Sequence, residues 1–283
     1  MPLSEMVQEP TIAQVDFESV TEVGGEEVTV EQVQRMARRY YWAARYAVNK
    51  DVLEVACGSG VGLGHLGTVA RSVTAGDLSQ PLLHRARRHY GNRFAFLCLD
   101  AQRLPFADRA YDVIIIFEAL YYVPDAVRFF RECRRVLRPG GTLLISTANK
   151  DLFDFNPSPF SYRYLGVGDL QDELDALAFT VTFFGDTPVD SVGLLQRWLR
   201  PLKALAARLG LIPKSMRAKR LLKRLVFGGL VSMPVELTSE TAPQVPPSRL
   251  DNAVPDRVHK VIFASAVFSN EQTNLAHIPQ DAT

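Results

Sequence analysis

The chain has 283 residues, 47% of them hydrophobic and 22% charged, which suits one large α/β domain with an insertion, or one and a half ordinary domains, around a real core. A formal net charge of +1 gives no whole-molecule field that favours nucleic acid or an acidic partner. Three cysteines (Cys57, Cys98, Cys133) without a C-x-x-C pair, and five histidines without H-x-x-x-H, read as buried thiols in a reducing compartment and argue against a disulfide framework or a metal centre.

The acidic start (Glu5, Glu9, Asp16, Glu18, Glu22) lacks a basic n-region and an apolar h-region, so it reads as an arm and not as a signal or transit peptide. No charge-free apolar run approaches the length of a membrane span, and the protein is expected in the cytoplasm. Residues 29–48 repeat apolar positions at three- and four-residue steps (Val30, Val33, Met36, Ala37, Tyr40, Tyr41, Ala44), an amphipathic helix. Strand, helix and strand follow at 50–57, 61–70 and 71–77. Ser79 then caps a helix that carries Pro81 in its first turn and runs to Tyr90. Strands are expected at 94–100 and 111–117; the latter (Tyr-Asp-Val-Ile-Ile-Ile-Phe) is an apolar run with four β-branched residues at its centre, as a strand buried on both faces should be. A helix over 124–137 stops at Pro139-Gly140-Gly141, and a strand follows at 142–147. This alternation predicts a Rossmann-like, doubly wound α/β sheet of seven strands, mostly parallel with an antiparallel last strand.

The rhythm then breaks. Residues 150–168 are a loop dense in aromatics and proline, followed by a helix at 169–178 and a strand at 179–184. Helices are expected over 190–230, where Arg197–Arg224 holds ten Lys/Arg and no Asp/Glu. A proline-rich connector (241–257), a final strand (259–268) and a disordered tail complete the chain. The domain reading is an N-terminal arm and capping helix (1–48), a core (49–185), a helical insertion or lid (186–257), the last core strand (258–268) and a flexible tail (269–283).

The chemistry concentrates at Glu54-Val-Ala-Cys-Gly-Ser-Gly60, a strand running into a glycine turn. Glycine fits where a Cβ would collide with a ligand or where φ must be positive, which makes Gly58 and Gly60 candidate contacts. Asp77 lies nineteen residues past Gly58, at the end of the second strand, where a carboxylate can accept both hydroxyls of a ribose. A tight turn without ligand is the plain alternative. The dinucleotide fingerprint wants glycine three residues after Gly60, where Leu63 stands. A literal G-x-G-x-x-G at Gly62, Gly64 and Gly67 starts too late after the strand, and Asp77 follows it too soon. A nucleoside cofactor without a pyrophosphate is the better match.

These motifs resemble the class I S-adenosylmethionine-dependent methyltransferases. The resemblance rests on residues 52–60, Gly76-Asp77-Leu78-Ser79, Asp100-Ala101 with Leu104-Pro105-Phe106, Asp112-Val113 leading to Phe117-Glu118, and Arg135–Leu143, in that order over roughly residues 35–185. It implies S-adenosylmethionine as cofactor. Gly58 and Gly60 would then pass under the methionine and ribose, and Asp77 would hold the ribose hydroxyls. Asp100 and the Ala101 amide would read adenine, sandwiched by Leu78 and the 104–106 turn. Phe117 or Glu118 would lie near the methionine ammonium, and Glu54 would orient the turn. At position 56 the family usually has glycine, and this chain has alanine. In some members a helix like Arg39–Ala44 closes over the cofactor carboxylate, which makes Tyr40 a cofactor candidate against the alternative of plain packing.

Methyl transfer needs a nucleophile aligned within about 3–3.5 Å, water excluded and, for a hydroxyl, a base. Glu118, Tyr121 and Tyr122 end the central strand and are the catalytic candidates. Many relatives have histidine near position 122, so a histidine mechanism is in doubt here. The tyrosines shape the pocket, donate hydrogen bonds or simply pack. Tyr41, Tyr162, Arg163 and Tyr164 are candidates for contact with the acceptor. The expected activity is methylation of a small or carrier-linked hydroxylated molecule, a sugar or secondary metabolite, with C- or N-transfer as the alternative. A nicotinamide oxidoreductase is more distant, lacking the third glycine and a Tyr-x-x-x-Lys relay. The basic insertion reads either as a lid whose charges are solvated, or as a surface for an anionic or lipid-carrier-linked acceptor or a weak membrane-surface contact; no nucleic-acid partner is expected.

Overall fold

The computed structural model describes residues 18, 20–158, 160–189, 229–251 and 254–268. Strand β1 (Glu27–Val28) leads into helix α1 (Val30–Ala47), whose start is fixed by Thr29 and Gln32: each side chain bonds the other's backbone N–H. The core continues with β2 (Asp51–Val55), α2 (Leu63–Gly67), β3 (Ser72–Asp77), α3 (Gln80–Tyr90), β4 (Ala95–Cys98), β5 (Tyr111–Phe117), a short 3₁₀ turn (Leu120–Tyr122), α4 (Ala126–Val136), β6 (Leu137–Ala148), α5 (Val167–Asp175) and β7 (Phe179–Pro188). Two short strands, β8 (Val231–Ser232) and β9 (Ser248–Arg249), precede β10 (His259–Phe268).

The main sheet has the order β4-β3-β2-β5-β6-β10-β7-β9. Strands β4 to β6 are parallel, and β10 runs antiparallel between β6 and β7. This is the expected seven-stranded arrangement, extended at one edge by the two-residue β9. Strand residues alternate between two apolar layers. Val52, Val113, Ile115, Leu144 and Phe263 pack on α1 and α2, whereas Leu53, Ile114, Ile116, Leu143 and Ile145 pack on α4 and α5. On the first face Trp42 stacks on Phe263 with ring centroids 4.9 Å apart.

Local chemistry explains where the elements depart from the sequence reading. Helix α2 is only five residues long instead of ten, because Gly62, Gly64 and Gly67 lie in or beside it. Those glycines serve packing: a Cβ on them would strike the ring of Tyr40, the Glu236 carboxylate and the ring of Phe94. Strand β6 begins at Leu137, ahead of the proline, because Arg138–Gly141 bulges out of register opposite Asp112. Cys57 and Cys133 are buried as expected, but Cys98 is exposed, since β4 lies at the sheet edge.

Residues 229–251, which run from the end of the 190–230 stretch read as helices into the proline-rich connector, are extended and strapped to the core. Val231–Ser232 pairs with Glu27–Val28, and Met233 and Leu237 are each 1% exposed in the α1 layer. Glu236 binds His89 at 2.8 Å and Arg93 at 3.0 Å. The helices expected from residue 190 to 228, the arm before residue 18 and the tail after 268 lie outside the described residues. Among the described residues no helix is long and apolar enough to cross a membrane.

Candidate active site

A cavity of about 280 Å³ opens at the carboxyl ends of β2, β3, β5 and β6, where parallel α/β sheets gather their ligands. Its floor is the turn after β2. Ala56 (φ 58°), Gly58 (φ 58°) and Gly60 (φ 78°) all stand in the left-handed region there. The conformation suits glycine, and it leaves Ala56 strained. A Cβ on Gly58 would meet only the Thr21 methyl, at 3.0 Å, on the cavity side. Gly60 instead lies beneath the turn against Leu63, Ala86 and Tyr90, and its carbonyl accepts the Tyr90 hydroxyl at 2.8 Å. It makes the turn possible but does not line the cavity, contrary to its reading as a contact.

Asp77 is 7% exposed and faces this turn. Its Oδ2 accepts the Gly58 N–H and its Oδ1 the Ser79 N–H, both at 2.8 Å. Burial raises its carboxyl above the usual range, and those amide bonds oppose the shift. Leu78, Asp100, Ala101 and Phe117 complete the same wall. Leu78 is 40% exposed, an apolar face presented at the cavity mouth. Asp100 Oδ1 is engaged by the Gln102 N–H at 2.8 Å.

Glu54 is in the core and not in the cavity. It accepts the Tyr40 hydroxyl, and its second oxygen has no hydrogen-bond partner. Burial pushes this carboxyl up to about 7, against the lowering effects of the Tyr40 hydroxyl and Arg39. Tyr40 lines the cavity and packs edge-on against Phe117 at 5.4 Å. The Tyr40–Glu54 bond therefore fastens α1 across β2, just below the turn.

The opposite wall holds Glu118, Tyr121 and Tyr122. Glu118 follows β5 with φ 51° and accepts the Ser146 hydroxyl at 2.8 Å; the Tyr121 hydroxyl contacts its other oxygen at 3.4 Å. Burial first, and the Glu118 charge second, raise the Tyr121 phenol well above its ordinary value. Tyr121 is thus a neutral hydrogen-bond donor, consistent with a shaping role and not with a base. The Tyr122 hydroxyl reaches Ser158 at 2.9 Å.

The acceptor candidates fall elsewhere. Tyr41 points away from the cavity: its hydroxyl donates to the Thr238 carbonyl at 2.7 Å and accepts the Ala242 N–H at 3.1 Å. Tyr164 stacks behind Tyr121 at 4.3 Å. Arg163 turns outward to Glu173 and Asp169, and Tyr162 is 43% exposed. None of these four lines the cavity, because the aromatic loop buttresses its wall from behind. Residues not singled out from the sequence do line it: Glu22, Arg35, Arg39, Ser146 and Asp186. Arg39 is 7% exposed and donates to Glu22 at 3.1 Å. The available signal was an arginine pair four residues apart flanking Met36 on the apolar side of α1.

A methyltransferase domain family matches residues 53–145. The chain is 32% identical over 160 residues to a probable S-adenosylmethionine-dependent methyltransferase of Mycolicibacterium smegmatis, an alignment spanning 52% of this chain and 62% of the relative. It is 42% identical over 98 residues to phthiotriol/phenolphthiotriol dimycocerosates methyltransferase 1 of Mycobacterium ulcerans, spanning 34% of this chain and 36% of the relative. The chain thus covers less than two thirds of the curated relatives' length. Its fold is similar to that of the YcgJ protein from Bacillus subtilis, with TM-score 0.54 and 15% identity over 85% of this chain and 99% of that one. The domain match, the sheet order and the motifs gathered around one cavity agree: residues 53–145 form a methyltransferase domain, similar to that of S-adenosylmethionine-dependent methyltransferases.

Proposed function

We propose that this protein methylates a hydroxyl group on a small or lipid-linked acceptor. The observation that carries this reading is that a nucleoside-sized wall (Gly58, Asp77, Leu78, Asp100, Ala101) and a carboxylate wall (Glu118 with Tyr121 and Tyr122) share one cavity. The first wall fits adenosine, with a buried carboxylate for ribose hydroxyls, a second acid at the adenine end and an exposed leucine for the ring face. When bound, the cofactor supplies an electrophilic methyl on a sulfonium. Phe117 and Tyr40 close the apolar side and keep water from it. Glu118 would accept the proton that the acceptor hydroxyl loses as its oxygen takes the methyl group, the cofactor supplying the leaving thioether. The relative from Mycobacterium ulcerans, named for a triol carried on a lipid, supports an alcohol acceptor of that kind.

The test is transfer of labelled methyl from S-adenosylmethionine to lipid-linked alcohols and phenols, in parallel with primary amines. Label on oxygen, reduced at least a hundredfold in Glu118→Gln, is the expected result. Transfer to nitrogen or carbon with Glu118→Gln fully active would overturn it.

A further inference from the structure

Ser146 is fully buried on β6, in register with Phe117, the residue before Glu118. It grips Glu118 twice. Its carbonyl accepts the Glu118 N–H at 2.8 Å, and its hydroxyl donates to Oε1 at 2.8 Å. The grip holds Glu118 at φ 51°, a conformation that costs an L residue about 1–2 kcal/mol. Such strain persists only where the surroundings over-determine it, and it collects at working sites. Packing does not require it here, since the Glu118 side chain is half-buried and borders the cavity. On the far side stands Arg39, whose charge Glu118 feels, already committed to Glu22.

We propose that Ser146 is a positioning residue that aims the Glu118 carboxylate at the methyl-transfer point, so that the pocket recognises the positive charge arriving there and prefers an acceptor that brings an O–H over one that is already an anion. The inference rests on the methyl-transfer reading above. Two hydroxyls, from Ser146 and Tyr121, donate to its two oxygens and hold the carboxylate in one orientation. A free rotor at this position would spread its charge over the whole opening. Aimed, it stabilises the sulfonium before transfer and takes up the acceptor proton during it.

The probes are S-adenosylhomocysteine, neutral at sulfur, and sinefungin, which carries an ammonium in place of the methyl sulfonium. Calorimetry on the full chain gives the ratio of their affinities. The wild type should favour sinefungin. Glu118→Gln should lower the ratio at least fivefold and Ser146→Ala at least threefold, while Ser146→Thr restores it. The double variant should lose no more than Glu118→Gln alone, because Ser146 acts only through the carboxylate. An unchanged ratio in Glu118→Gln, an isosteric change that keeps the backbone bond to Ser146, overturns the inference. So does a double variant in which the two losses multiply. Wild type that binds neither probe would instead remove the cofactor reading on which the inference stands.

Discussion

The turn after β2 offers a reciprocal experiment, because two of its left-handed residues differ only by a methyl group. Ala56 and Gly58 share φ 58°. An L residue there costs about 1–2 kcal/mol, and glycine gives back about 0.4–1 kcal/mol through the greater freedom of the unfolded chain. Ala56→Gly should therefore stabilise the fold by about 0.5–1 kcal/mol, a rise in melting temperature of about 1–4 °C for a chain of this size. Gly58→Ala takes on the strain, and its new Cβ sits 3.0 Å from the Thr21 methyl, which must move. A loss of about 1–2 kcal/mol is expected, with affinity for S-adenosylhomocysteine down at least fivefold as the methyl enters the cavity floor. Urea unfolding with an unchanged m-value reads the first quantity, and calorimetry the second. If both substitutions move stability in the same direction, the turn does not have this backbone and the assignment of its residues falls with it.

Other consequences are as specific. The Glu54 carboxyl stands near 4.5 unfolded and is pushed up to about 7 in the fold. Across that interval the folded state holds a proton the unfolded chain has released, a contribution complete below about pH 4.5 and lost as pH rises through about 7. The difference is about 3 kcal/mol, so Glu54→Gln should flatten the stability profile between pH 5 and 8; parallel wild-type and variant profiles would contradict it. Tyr41→Phe removes a donor to Thr238 and strands the Ala242 N–H. It should cost about 1–3 kcal/mol and raise hydrogen exchange over residues 238–242 without changing cofactor affinity; a loss of affinity would return Tyr41 to the site.

Much of this architecture is readable from local patterns. The β-branched run at 111–117 could be little else than a doubly buried strand, and Gly58 with Asp77 marks a nucleoside edge because the turn's backbone and a buried acid are both visible in the chain. What escaped depends on partners far away in sequence. Glu54 looked like an acid that orients the glycine turn, yet it is spent on Tyr40, fourteen residues earlier. Tyr41 looked like part of a pocket, yet it ties down a segment nearly two hundred residues later. Arg39 stands out in the sequence only as part of the helix 39–44, and its burial beside Glu22 and near the Glu118 charge shows only in the fold. Ser146 carries no motif at all; only the register of β5 on β6 brings it to Glu118.

The most direct test is calorimetric titration of S-adenosylmethionine into the wild type and into Asp77→Ala, each first shown to melt cooperatively. The account predicts a single site in the wild type and affinity at least tenfold weaker in the variant, since the buried carboxylate that orders Gly58, and that we propose holds the ribose hydroxyls, is gone. Equal affinity in the two proteins would contradict it.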